Sequence, residues 1–364
     1  MLIVLHLLKV LKWQPDILHA NDWHSALAVY ALKSARKTDA SFKKIKTVLT
    51  VHNLPFIGAG TEAAFEQFKL TPSRYPRLPW WARKAPLPLG LLAADRIVAV
   101  SPTYAKEILT PEYGCGLEKF LKARQKSICG IVNGLDQDSW DPARDTIIPS
   151  NYSLNSLPMR QANKDALAAE FSLNNDPAVP LLILISRMDR QKGVDLAIDG
   201  LRQTVDLPWQ AILLGSGDPN LENACRQLEE DYPQRVRSVI RFDGALARRM
   251  YAGADVLLMP SRYEPCGLAQ MMAMRYGCIP LARATGGLQD TILDSETYVD
   301  DGTGFLFKPA NAAVMAGTLR TALQVFSNRK RWLGIQERGM KQDFSWEKSA
   351  QAYAEIYNQL LEEK

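Results

Sequence analysis

Short runs of β-branched and other apolar residues alternate along this chain with amphipathic stretches of helical length, and that alternation constrains the fold more than any other feature. Strands separated by helix-length segments pair in parallel, because each return must cross a face of the sheet. The strand candidates are Ile17–His19, Thr47–Val51, Arg96–Val100, Ser127–Ile131, Leu181–Ser186, Ala211–Gly215, Ser238–Phe242 and Val256–Pro260. Between the fourth and fifth lies WDPARDTIIPSNYSLNSLP, Trp140 to Pro158, with three prolines, several Ser and Asn, and no sustained period. The predicted fold is therefore α/β, with two doubly wound parallel-sheet domains. The 364 residues suffice for two domains of roughly 100–200 residues. The expected division is residues 1–139, a linker at 140–158, residues 159–342 and a closing segment, 343–364, whose last helix runs from Trp346 to Leu361.

Composition removes several function classes. A balance of 44 Lys and Arg against 39 Asp and Glu leaves +5, too mild for a dedicated nucleic-acid binder. The five cysteines, Cys115, Cys129, Cys225, Cys266 and Cys278, are scattered and form no CxxC pair, so neither a disulfide framework nor a zinc site is expected. The opening MLIVLHLLKVLKW has no basic leader region and no small-residue cleavage site, and it is too short to span a bilayer. It reads as a buried helix face. The five prolines between Phe68 and Pro88 suit a long loop, either a functional lid or acceptor surface or a packed Ω-loop.

In open α/β sheets ligands sit outside the carboxyl ends of the strands, and several of those ends carry chemistry. After Leu181–Ile185 comes SRMDRQKG, which places Arg187 and Lys192 five apart in a turn that opens a helix. Two cations beside unpaired helix N–H groups make a phosphate site, although a solvated basic turn has the same sequence. After Val256–Met259 comes PSRYEPCGLAQ, in which Glu264 can accept hydrogen bonds from sugar hydroxyls. The amides of Gly267, Leu268 and Ala269 can there meet a second phosphate. Glu264 can equally serve its own helix dipole, and Cys266 is either a low-pKa nucleophile or a small packed thiol. The Gly286-Gly287 pair of ATGGLQDTI allows close backbone approach. In the first half, HANDWH (His19 to His24) and TVHNLPFIG, with His52 and Asn53, put polar groups past two further strand ends. The HANDWH spacing matches no common zinc pattern, so no metal is expected.

Taken in order, HANDWH, TVHNLPFIG, AADRIVAVSPTYAKEI, VNGLDQDSWDP, SRMDRQKG, AGADVLLMPSRYEPCGLAQ, ATGGLQDTI, TGFLF and DFSWEKSAQAYAEIY resemble the bacterial glycogen synthase and plant starch synthase family from about Pro15 to Tyr357. The resemblance implies a GT-B architecture, two Rossmann-like domains facing across a cleft with the last helix returning to the first. It implies glucosyl transfer with retention from ADP-glucose, or UDP-glucose, to the 4-hydroxyl of an α-1,4-glucan such as glycogen, starch or a maltooligosaccharide. By the same resemblance Arg187 and Lys192 hold the diphosphate. Glu264 binds glucosyl hydroxyls beside Cys266, Gly267, Leu268 and Ala269. Asp22, His52 and Asn133 line the sugar, and Phe242 lies against the base. No cofactor, nucleic acid or membrane partner is implied, and the setting is cytoplasm or plastid.

Two departures from the family pattern stand out. A glycine-rich turn with a KxGGL lysine has no counterpart before His19, which predicts an incomplete first sheet with an unpaired edge. Ala269 also replaces a frequent Thr. The competing readings are a truncated glucan-binding remnant without turnover and a GT-B transferase for another sugar or acceptor.

Overall fold

The computed structural model describes residues 3–61, 65, 67 and 70–362; Phe68 and Lys69, at the start of the proline-rich stretch, lie outside them. The chain forms two units: Met1–Asn133 together with Glu347–Lys364, and Gly134–Trp346.

The first unit holds a parallel four-stranded sheet in sequential order, β1 (Ile17–Asn21), β2 (Lys46–Val51), β3 (Arg96–Ala99) and β4 (Ile128–Gly130). Its register runs Ile17 opposite Lys46, Val48 opposite Arg96 and Ile97 opposite Ile128. β1 is an edge strand, half-exposed along most of its length. Helices Asp22–Ala35 and Pro86–Ala93 pack so closely that a Cβ on Gly90 would lie 2.6 Å from the Ala26 Cβ, so glycine is needed there for the approach. The closing helix, Trp346–Glu362, lays Ile356 and Leu360 on Val48, Val98 and Ile131.

The N-terminal segment does form a helix, Ile3–Val10, but it is not the buried face its composition suggests. Leu8 packs with Leu32, Phe42 and Ile45, whereas Leu7, Val10, Leu11 and Trp13 are exposed. A single apolar stripe covers only one side of a helix, and here six apolar residues in eight exceed what one stripe can bury.

The second unit carries six parallel strands, β5 (Leu181–Ile185), β6 (Gln210–Gly215), β7 (Val236–Ile240), β8 (Val256–Met259), β9 (Ile279–Arg283) and β10 (Phe305–Phe307), ordered β10-β9-β8-β5-β6-β7. The direction of winding reverses between β5 and β8, which places the ligand crevice of such a sheet at their carboxyl ends. β9 and β10 were not anticipated. β9 contains Pro280, which argues against a strand on sequence grounds, and β10 has three residues.

The stretch from Trp140 to Pro158 packs within this unit rather than running free. Tyr152 is buried and donates its hydroxyl to the Tyr276 carbonyl at 2.8 Å. Trp140 lies under the Arg248 guanidinium at 4.0 Å, and Asp145 accepts from Tyr276 and Arg248. Aromatic anchors and a satisfied carboxylate hold an irregular backbone that proline alone marks as loose. Among the described residues no helix is long and apolar enough to cross a membrane.

Candidate active site

At the switch point of the second unit, the loops after β5 and β8 are stitched together along their backbones. The Arg262 amide donates to the Gln191 carbonyl at 2.7 Å, and the Gln191 side chain returns to the Tyr263 carbonyl at 3.3 Å. The Arg262 guanidinium grips Asp195 with two bonds of 2.8 and 2.6 Å. Gly193, at φ +66°, is required where the loops touch, because a Cβ there would stand 2.2 Å from the Pro260 carbonyl oxygen. Arg283, buried at the end of β9, donates to the carbonyls of Ser261 and Arg262 from behind.

This scaffold brings two of the predicted residues into direct contact. Lys192 Nζ lies 2.6 Å from Glu264 Oε2, and the Ser261 hydroxyl donates to the same oxygen at 3.0 Å. Glu264 is 5% exposed, so its charge is neutralised by these partners rather than by bulk water. Arg187 sits in the same loop, paired with Asp189 at 2.7 Å, with its head largely open to solvent. The Gly286-Gly287 pair backs the main chain at Glu264 and Cys266. The Gly287 amide donates to the Glu264 carbonyl at 3.0 Å, and a Cβ on Gly287 would stand 1.9 Å from the Cys266 carbonyl oxygen. Cys266 is buried, while Leu268 is 39% exposed beside Gly267, at φ +73°, and Ala269 opens the helix Ala269–Arg275. The buried Gln270 amide ties the carbonyls of Cys266 and Gly267 to Thr291.

Beside Arg187 a cavity of about 220 Å³ is lined by Ile185, Leu214, Gly215, Phe242 and Gly244, among others. Phe242 lies two residues beyond β7 rather than within it, and its ring is 91% exposed at the rim. An open aromatic face over an apolar hollow accepts a flat heterocycle.

In the first unit, Asp22 and His52 are joined: Asp22 Oδ1 accepts the His52 amide at 2.8 Å, linking the ends of β1 and β2. Asp22 holds φ +52°, a left-handed conformation that costs a non-glycine residue about 1 kcal/mol or more and concentrates at functional positions. The His52 ring meets Asn21 Oδ1 at 3.2 Å. Asn133 follows β4 and so shares the carboxyl edge of this parallel sheet, half-buried.

His19 is structural. Its two ring nitrogens meet Tyr357 Oη at 2.6 Å and Thr50 Oγ1 at 2.8 Å. Burial, and then the neighbouring His52, hold its imidazole below its usual value of 6.5. The unfolded chain therefore takes up this proton first, and the stability held above about pH 6.5 is lost as the pH falls towards the lower folded value. The melting-temperature gap between the native protein and His19→Gln is expected to be widest near pH 7.5 and to narrow by about pH 5.5. A gap independent of pH would remove His19 from this role.

Ser261, Gln270, Arg283 and the Asp195–Arg262 pair were not found by sequence. The one available signal was an arginine closing an apolar run, IPLAR, which a strand with no polar duty has no reason to carry.

Two parallel-sheet units on one chain, with cations and a buried carboxylate at a switch point, suit a ligand that carries both phosphate and hydroxyls, as expected of the GT-B nucleotide-sugar transferases that the sequence resembles. Comparison with known proteins narrows this. The family described as starch synthase catalytic domain matches residues 2–123, and glycosyl transferases group 1 matches residues 166–333. A glycogen synthase of Anaeromyxobacter sp. is 42% identical over 95% of this chain and 73% of its own length. One from Thermodesulfovibrio yellowstonii is 39% identical over 99% and 72%. Among solved structures, the catalytic domain of starch synthase IV from Arabidopsis thaliana, bound to ADP and acarbose, superposes with a TM-score of 0.87 at 31% identity, covering 99% of this chain and 76% of that one. The chain belongs to the glycogen and starch synthase family. It is a hexosyltransferase of glucan synthesis.

Proposed function

We propose that the donor is ADP-glucose, that the acceptor is the 4-hydroxyl at the end of an α-1,4-glucan, and that the configuration at the transferred carbon is retained. The observation that carries this reading is the 2.6 Å Lys192–Glu264 pair seated at the switch point next to Arg187. Departure of a nucleoside diphosphate develops negative charge on phosphate and positive charge on the sugar. Preorganised cations lower that barrier where charge develops, without a nucleophile. Arg187 and Lys192 take the diphosphate, the latter leaving or sharing Glu264 as the phosphate arrives. Glu264 then accepts from glucosyl hydroxyls, beside the amides of Gly267, Leu268 and Ala269. Phe242 covers the base. Asp22, His52 and Asn133 supply polar groups for sugar hydroxyls.

Retention through a covalent intermediate would require two carboxylates flanking the bond, about 5–5.5 Å apart in retaining glycosidases. Glu264 already serves Lys192 and Ser261, and no second carboxylate is assigned, so the acceptor attacks from the face the diphosphate leaves, with the departing phosphate as base. Because the cationic charge comes from side chains, no metal or cofactor enters the scheme. The test is transfer of labelled glucose to glycogen from ADP-glucose and from UDP-glucose, with and without EDTA, followed by digestion with an α-1,4-specific amylase. The expected result is amylase-sensitive label, faster from ADP-glucose and unchanged by EDTA. Label that resists amylase, or a preference for UDP-glucose, overturns the corresponding part.

A further inference from the structure

Arg187 and Lys192 each face a carboxylate, and the two carboxylates do different work. Lys192 meets Glu264, which the transfer scheme assigns to the sugar. Arg187 meets Asp189, with Nη1 lying 2.7 Å from Oδ2. A third acid packed at the same junction, Asp195, is held by both terminal nitrogens of Arg262.

Asp189 stands on main chain that is anchored on both sides. On one side Met188, fully buried, is locked to the loop after β6: its amide donates to the Ser216 carbonyl at 2.9 Å, and its carbonyl accepts the Asp218 amide at 2.7 Å. On the other side the Gln191 carbonyl accepts the Arg262 amide. From this fixed base the carboxylate divides its two oxygens. Oδ1 accepts the Lys192 amide at 3.0 Å, the i to i+3 bond of a helix cap, and so sets where the Lys192 side chain leaves the loop. Oδ2 takes the Arg187 guanidinium, whose other terminal nitrogen reaches Gln191 Oε1 at 3.4 Å. The Arg187 side chain is 61% exposed, and a long side chain that open to water samples many rotamers unless something holds it. These contacts occupy at most two of the five guanidinium donors and leave the others for a ligand.

We propose that Asp189 is a positioning residue of the donor site: a single carboxylate fixes both diphosphate cations, Lys192 through its main chain and Arg187 through its head. This rests on the reading above in which those two cations take the diphosphate. A carboxylate beside an anion site also repels the anion, so its two effects oppose each other. While Arg187 is paired with it at 2.7 Å, the two charges act on a third group mainly as a dipole; the repulsion is muted and positioning dominates. Without Arg187 only the repulsion remains. The effect of removing the Asp189 charge therefore changes sign with the presence of Arg187, which a carboxylate that merely stabilised its loop would not do.

The test is calorimetric titration of the full chain with ADP, and in parallel with UDP, in four forms: native, Asp189→Asn, Arg187→Ala and the two combined. Asparagine keeps an oxygen for the Lys192 amide and caps as well as aspartate does, so the loop is retained while the charge is lost. In the native background Asp189→Asn is expected to weaken the nucleotide about three- to tenfold, the range for one long side chain that must be ordered on binding. In the Arg187→Ala background the same change is expected to tighten binding about twofold at low ionic strength, and by less as salt screens the repulsion. Equal weakening in both backgrounds makes Asp189 structural and overturns the proposal, as does unchanged or tighter binding in Asp189→Asn alone. Native affinity in Arg187→Ala, or a native chain that takes up neither nucleotide, overturns the cation reading and the proposal together. Tighter binding of UDP than of ADP moves the donor assignment and leaves the sign reversal to decide the role of Asp189.

Discussion

Glu264→Gln is expected to lower kcat about 10²–10³-fold, with a much smaller change in the donor KM, because the charge it removes matters most as the glucosyl centre becomes positive. Lys192→Ala should lose a similar factor. The informative variant is the double. Lys192 and Glu264 touch at 2.6 Å inside a pocket that shields the carboxylate, so each single change also strands its partner. Removing both relieves that stranding, and the double variant should fall no more than a few-fold below the worse single one. Full additivity, a combined loss of about 10⁴-fold or more, would mean the two act separately and that the pair is not one functional unit. Near-native turnover in Glu264→Gln would remove the carboxylate from the reaction altogether.

The largest stability effect should come from a residue outside the site. Asp255, 5% exposed just before β8, accepts from Lys164 Nζ at 2.7 Å and from the amide of Leu181, the first residue of β5, at 2.8 Å. Arg160, also buried, lies 4.0 Å away. One carboxylate thus compensates two buried cations and joins the two central strands at their start. Asp255→Asn keeps the shape and leaves the cations unbalanced, which costs about 3–5 kcal/mol when one member of a buried pair is removed. The measurement is urea unfolding followed through a signal from the second unit. The contrasting control is Asp206→Ala, whose partner Arg320 is bound at 2.6 Å on the open surface; no measurable change is expected there. A loss of less than about 1 kcal/mol in Asp255→Asn would show that water reaches the cluster in solution.

The features that sequence revealed and those it hid follow a physical division. Strands such as Leu181–Ile185 and Gln210–Gly215 are continuous apolar runs because both faces of a parallel sheet are covered, and such runs are visible in one dimension. Lys192 and Glu264, which the structure brings into contact, stand out in the sequence because each follows such a run, although a solvated basic turn and a helix-dipole carboxylate have the same local pattern. Pro280 hid β9, since a proline normally interrupts pairing. Ser261 and Arg283 were invisible for a different reason: each acts through partners set by the lateral order of strands, and the reversal between β5 and β8 is not written in any local pattern. The N-terminal helix misled in the opposite direction, because apolar content announces that burial is wanted without saying how much surface is at hand to provide it.

The way the chain divides has a further consequence during synthesis. The second unit is one uninterrupted run, Gly134–Trp346, whereas the first is assembled from Met1–Asn133 and Glu347–Lys364. On a ribosome the sheet of the first unit emerges early, but the helix that covers Val48, Val98 and Ile131 is made only after all of residues 134–346. At about 5–20 residues per second that interval is on the order of 10–40 s. Throughout it an apolar sheet face has no cover of its own, while the second unit already has every residue it needs. The domain begun first is thus the one finished last, and the nascent chain spends its longest vulnerable period with that face bare.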